Sequence, residues 1–157
     1  MEHVEIERKW RLHAKPEGLD AYPKTEMEQG YLCRKPVVRV RRDGDQYYLT
    51  YKGRGLMTRE EYNLSLTKEA YEHLIRKADG AVIHKSRFCM PLRGGLTAEI
   101  DVFHGALSGL LLLEVEFESE EAACAFAPPA WFGTEVTEDA SYSNAALSEM
   151  LAQWGKL

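Results

Sequence analysis

Glu5, Glu7 and Lys9 fall two residues apart in VEIERKWRL, residues 4–12. Read with the period of a strand, Glu5, Glu7, Lys9 and Arg11 share one face. Val4, Ile6, Trp10 and Leu12 share the other, with Arg8 among them. Two carboxylates beside an ammonium can hold a hard divalent cation and an anionic oxygen together. The same pattern also describes a strand whose polar face meets water. The two readings differ in whether the rest of the chain repeats the arrangement.

It does. Arg39 and Arg41 share a face opposite Val38 and Val40, and Lys52 shares one with Thr50 and Tyr48. Glu61 pairs with Asn63, Lys85 with Arg87, Glu99 with Asp101 and Glu114 with Glu116. The bases on this face are Lys9, Arg39, Arg41, Lys52, Lys85 and Arg87. The acids are Glu5, Glu7, Glu61, Glu99, Asp101, Glu114 and Glu116. The opposite face stays apolar in strand after strand. Like charges on a solvated sheet repel their neighbours, and such faces usually mix in neutral polar residues.

The elements that must position these residues are mostly strands. VVRVRR (37–42) and QYYLTYKG (46–53) flank Asp43-Gly44-Asp45 as a hairpin. REEYNLSL (59–66), AVIHKSRFCM (81–90), LTAEIDVF (96–103) and LLLEVEF (111–117) are further strands, and the chain is strand-like from residue 29. Residues 14–24 read as a linker or short helix broken by Pro16, Gly18 and Pro23. A helix is expected over 67–80, capped by Thr67 and left at Gly80. Ser119 caps a short helix that Pro128-Pro129 ends. A final helix over 144–154 carries Leu147, Met150, Leu151 and Trp154 on one side, with Ser143 as cap. About eight consecutive strands and three or four helices, with no alternation of strand and helix, predict an α+β fold. The expected form is an antiparallel β-barrel whose outer wall is apolar and helix-covered and whose lumen is charged. A charged lumen is costly unless its charges are paired or bind ions. Carboxylates call for Mg²⁺ or Mn²⁺, and Arg and Lys call for phosphate groups. A polyphosphate bridged to the acids by metal satisfies both. No G-x-x-x-x-G-K-[ST] or G-x-G-x-x-G loop offers another route to phosphate.

In order along the chain, EIERK (5–9), QGYL (29–32), VRVRR (38–42), LTYKG (49–53), KSRF (85–88), AEIDVF (98–103), LEVEF (113–117) and EVTEDASYSN (135–144) resemble the blocks of the CYTH superfamily. Its members are also called triphosphate tunnel metalloenzymes, and the name joins class IV adenylate cyclase and thiamine triphosphatase. The resemblance covers nearly the whole chain and implies one domain over 1–157, an eight-stranded antiparallel tunnel. It implies Mg²⁺- or Mn²⁺-dependent hydrolysis of a triphosphate, with inorganic tripolyphosphate the first expectation. Nucleoside or thiamine triphosphate hydrolysis, adenylate cyclisation and binding of polyphosphate or nucleotide without turnover are the alternatives. By position, Glu5, Glu7, Asp101, Glu114 and Glu116 would bind metal, with Glu61 and Glu99 as further acids. Lys9, Arg39, Arg41, Lys52, Lys85 and Arg87 would hold phosphates, and Lys9, Glu5 and Glu7 would be catalytic. Two positions depart from the family pattern. Asn63 stands where R-x-E-x-E has its second acid, and Ser141 stands where a basic residue usually precedes Tyr-Ser-Asn.

The chain of 157 residues carries 25 acids and 20 bases, and its net charge of −5 argues against general nucleic-acid binding. No apolar run approaches the roughly 18 residues of a membrane span. The charged first residues do not form a signal peptide, so the expected compartment is the cytoplasm. Cys33, Cys89 and Cys124 are widely spaced and make no C-x-x-C pair, so free thiols are expected. The five histidines make no ligand spacing. The partner is a small-molecule triphosphate, with no nucleic acid and no membrane, and a sheet edge would support a homodimer.

Overall fold

The computed structural model describes residues 3–154, with only the backbone of Trp154, so that residue's place on the helical stripe lies outside the described side chains. Eight antiparallel strands close on themselves: β1 (Val4–Arg11), β2 (Lys24–Arg34), β3 (Val37–Asp43), β4 (Gln46–Lys52), β5 (Thr58–Ser65), β6 (Ile83–Pro91), β7 (Thr97–Phe103) and β8 (Leu111–Glu116). The order around the wall is β5-β4-β3-β2-β6-β7-β8-β1, and β1 closes the barrel by pairing Glu5 with Arg59 on β5. A ninth strand, β9 (Thr134–Glu135), adds to β1. Three helices complete the α+β fold: α1 (Lys68–Ile75), α2 (Glu120–Ala125) and α3 (Asn144–Trp154). The Thr67, Ser119 and Ser143 hydroxyls accept from Ala70, Ala122 and Ala146 amides, as expected of N-caps.

Three elements differ from the expectations, the first being α1, which ends at Ile75, short of the exit expected at Gly80. β2 begins at Lys24, inside the stretch read as a linker. Its inward positions, Thr25, Met27 and Gln29, are neutral and face a charged lumen, so hydrophobic alternation does not betray them. β9 is two residues long, too short for any periodicity to register.

The apolar outer face is buried as expected. Trp10, Phe88, Ile100, Leu113, Val115 and Phe117 pack under Ala123 of α2 and Phe132 of the following loop. At one end of the barrel the inward register itself turns apolar. There Ile83, Phe103 and Leu112 join Tyr31 and Leu147 of α3, so the last helix seals that end instead of covering the wall. Among the described residues no helix is long and apolar enough to cross a membrane. All three cysteines are free.

Arg8, the one charge on the outward face of β1, is explained by its partners. Its guanidinium donates to both oxygens of Glu135 at 2.7 and 2.8 Å, and to the Ala123 and Phe126 carbonyls at 2.8 and 2.9 Å. It lies 5.0 Å from the centroid of Trp10. One side chain therefore ties α2 and β9 to β1. The hydrogen bond from Arg8 holds the Glu135 carboxyl below its ordinary value of 4.5. A depressed folded-state value gives stability that is full above pH 4.5 and is lost as pH falls through the folded value. Glu135→Gln is therefore expected to destabilise the protein near pH 7 and to match it at pH 2–3 by urea unfolding. Arg8→Met should cost about 1–3 kcal/mol at pH 7.

Candidate functional site

The lumen is a cavity of about 230 Å³ lined by seven bases and six acids. The bases are Lys9, Arg39, Arg41, Lys52, Arg59, Lys85 and Arg87; the acids are Glu5, Glu7, Glu61, Glu99, Glu114 and Glu116. Every site residue expected from sequence except Asp101 lines this space. Strand order divides it into two walls. β4, β3 and β6 supply Lys52, Arg39, Arg41, Lys85 and Arg87, with β2 neutral between β3 and β6. β7, β8 and β1 supply Glu99, Glu114, Glu116, Glu5 and Glu7. Antiparallel register sets Glu7 opposite Glu116, Lys9 opposite Glu114, and Glu99 opposite Glu114.

Ion pairs form along the two seams where the walls meet. At the β6–β7 seam, Asp101 accepts from Lys85 at 2.8 Å and from Arg87 at 2.7 and 2.9 Å. Arg87 also donates to Glu99 at 3.1 Å. At the seam of β1, β5 and β4, Lys52 lies 3.1 Å from Glu5 and 3.2 Å from Glu61. Arg59 Nε lies 3.8 Å from Glu5. Lys9 is looser, 3.6 Å from Glu114 and 3.3 Å from the Tyr142 carbonyl.

Compensation is incomplete on both walls. The Nε atoms of Arg39, Arg41 and Arg59 are buried without a hydrogen-bond partner. That of Arg41 is 2.9 Å from Asp43 but poorly aligned with it. Burial, then Arg39 and Arg87, lower the Arg41 guanidinium to about 10. Burial also lowers the Lys85 ammonium to about 8, against the pull of Asp101. On the acidic wall, burial and the nearby Glu114 and Glu5 push the Glu7 carboxyl well above its ordinary value. Burial raises Glu5 and Glu116 too. Burial opposes ionisation of Glu114 as well, but Lys9, Arg87 and Lys85 outweigh it and hold Glu114 well below the usual range.

These unmet demands are opposite in sign on the two walls. Unpartnered guanidinium N–H groups on the basic wall suit anionic oxygens. Crowded carboxylates on the acidic wall suit a hard cation with oxygen ligands. Among the described residues no three acidic, histidine or cysteine side chains are gathered into a coordination cluster, and carboxylates that repel one another do not converge unaided. The donor chemistry of Glu5, Glu7, Glu114 and Glu116 fits a divalent metal. Asp101 differs from them: it is buried, does not line the cavity, and both its oxygens are engaged by Lys85 and Arg87.

Arg59 was not among the residues expected from sequence, although it shares the parity of Glu61 and Asn63 on β5. Asn144 could not be found by strand period at all. It reaches the lumen from the first turn of α3, where its Oδ1 accepts from Lys85 and Gln29 at 3.1 Å each. Tyr31 lines the cavity and Tyr142 does not. The Tyr142 hydroxyl accepts from Arg11 at 2.9 Å, placing Arg11 at the exposed rim. Ser141 is exposed and bonded to Asp139, outside the lining, whereas Asn63 is in it.

A family model for the CYTH domain matches residues 3–127. An inorganic triphosphatase of Nitrosomonas europaea is 43% identical over 149 residues, spanning 92% of this chain and 97% of that protein. An inorganic triphosphatase of Acetivibrio thermocellus is 38% identical over 123 residues, 76% of this chain and 77% of that one. A crystal structure of an inorganic triphosphatase, 40% identical, superposes with a TM-score of 0.68 over 92% of this chain and 93% of its own. A Hippeastrum protein only 15% identical still shares the fold, with a TM-score of 0.58 over 76% of this chain and 82% of that one.

Asp101 carries the charge of the β6–β7 seam. Asp101→Asn would leave Lys85 and Arg87 buried with their main counter-charge gone. Losing one partner of a buried pair costs about 3–5 kcal/mol. A urea midpoint lowered in proportion to that loss is the expected result for the variant.

Proposed function

The chain belongs to the CYTH family, and we propose that it acts as a single-domain, divalent-metal-dependent hydrolase of inorganic tripolyphosphate. The observation that carries this reading is the lumen's division into a basic and an acidic wall, each short of counter-charge. Its size and lining support the inorganic substrate. A cavity of about 230 Å³ falls below the roughly 300–1,000 Å³ of pockets for drug-sized organic ligands. Among the described residues Tyr31 is the one aromatic side chain in the lining, so nothing there offers a stacking platform for a base. The naming of two relatives as inorganic triphosphatases points the same way.

In this reading the guanidinium groups of Arg39, Arg41 and Arg59, which line the cavity, take phosphate oxygens. Lys52, Lys85 and Arg87 keep one side on their carboxylate seams and turn the other to the substrate. Fixed cations stabilise charge that grows on phosphoryl oxygens as the anhydride bond breaks, with no cost of reorganisation. Asp101 is a positioning residue that aims Lys85 and Arg87, and not a metal ligand. A bound Mg²⁺ or Mn²⁺, held by Glu5, Glu7, Glu114 and Glu116, would neutralise phosphate charge and lower the pKa of the attacking water. Lys9, between the acidic wall and the α3 end, holds the leaving or terminal phosphate through its loosely paired ammonium.

Orthophosphate release from tripolyphosphate should require Mg²⁺ or Mn²⁺. Its absence with both metals, in folded protein, rejects hydrolysis. Cyclic AMP formed from ATP would instead select the cyclase alternative. Glu7→Gln should reduce turnover by more than the roughly 10–100-fold typical of second-sphere partners. Full metal-dependent activity in that variant would reject the assignment of the acidic wall.

A further inference from the structure

Asn63 is the one carboxamide on β5 that faces the lumen, and its hydrogen bonds fix what it does. The buried Thr50 hydroxyl donates to Asn63 Oδ1 at 2.6 Å, and Asn63 Nδ2 donates to Glu61 Oε1 at 3.1 Å. An ionised carboxylate only accepts hydrogen bonds, so the amide nitrogen must face Glu61 and the amide oxygen must face Thr50. The other oxygen of Glu61 lies 3.2 Å from Lys52 Nζ, which also reaches Glu5 at 3.1 Å. A chain of contacts thus runs Thr50–Asn63–Glu61–Lys52–Glu5 along the seam. Asn63 is its one side-chain amide donor to Glu61.

A carboxylate at position 63 would have nothing to donate. It would set two acceptors against Glu61, and Glu5 lies within reach of the same ammonium. Three acids around one ammonium are under-compensated, and they relax by taking up a cation or a proton. An amide removes that demand while keeping the shape of an aspartate.

We propose that Asn63 is a positioning residue that clamps Glu61 onto Lys52 and withholds it from cation coordination, so that metal is confined to the wall of Glu5, Glu7, Glu114 and Glu116. Glu61 serves as the anchor of a phosphate-holding lysine. This rests on the reading of the lumen as cation-dependent.

The test is Mn²⁺ binding to metal-free protein without substrate, by calorimetry or by the paramagnetic resonance of free Mn²⁺. Asn63→Asp, with Asn63→Glu as a second acid, should bind one further ion per chain or bind at least about threefold more tightly. Asn63→Ala, which frees Glu61 without adding an acid, should also bind more tightly than the unaltered protein, by less than the acid variants. With tripolyphosphate, Asn63→Ala should raise KM by about three- to tenfold, the worth of one hydrogen bond, with kcat within about twofold. Side chain 63 is exposed, so these variants keep the core. Binding by both acid variants that superposes on the unaltered protein's overturns the proposal, as does binding by Asn63→Ala that is unchanged from it. If the unaltered protein itself binds no Mn²⁺, the cation-dependent reading of the lumen fails first.

Discussion

Charge compensation across a narrow lumen is the constraint on which the rest of this structure depends. Thirteen acidic and basic side chains line about 230 Å³, and each ion taken from water costs several kcal/mol unless a partner offsets it. The barrel meets this by strand order. Basic strands stand together on one side and acidic strands on the other, and among the described residues most ion pairs between the walls form where they meet. Asp101 is central to this scheme because it takes three hydrogen bonds from Lys85 and Arg87 and offers nothing to the cavity. It stabilises the basic wall from behind and leaves that wall's front edge positive. Had acids and bases alternated around the barrel, every charge would have found a neighbour and the lumen would have been inert.

Much of this was legible from the strands themselves. The i, i+2 pairs of like charge, opposite consistently apolar residues, marked the inward face of β1, β3, β6, β7 and β8. They did so because the period of a strand is two and the outer wall must bury its apolar side. The limits have equally local causes. β2 faces the lumen with Thr25, Met27 and Gln29 and turns Lys24, Glu26 and Glu28 outward, so its alternation is the reverse of the charge-inward pattern of the other strands. Asp101 has the parity and charge of a ligand; only the register that sets it opposite Arg87 turns it into a counter-ion. Arg59 had the right parity, but a pattern anchored on Glu61 and Asn63 passed over it. Asn144 enters from a helix, where no strand period applies. Arg11 continues the parity of Glu5, Glu7 and Lys9, yet lies beyond the charged zone. Its cross-strand partner is Leu112, part of the apolar end that α3 seals.

The sealed end bears on how phosphate is held. Many phosphate sites use backbone amides of a glycine-rich loop before a helix. In the proposed reading the donors would be long side chains of the wall, several of them held at their tips by carboxylates. An unpaired buried guanidinium N–H is costly, and three such groups persist at Arg39, Arg41 and Arg59. The closed hydrogen-bonded wall tolerates this because its stability comes from elsewhere, from the apolar packing of Trp10, Phe88, Leu113 and Phe117 on the outside. Stability and binding are thus placed on opposite faces of the same strands, and each face can be strained or optimised with little cost to the other. A one-residue slip of any strand would exchange the two faces. The many cross-strand pairings that fix the register are therefore as much a part of the site as the charged residues they aim inward.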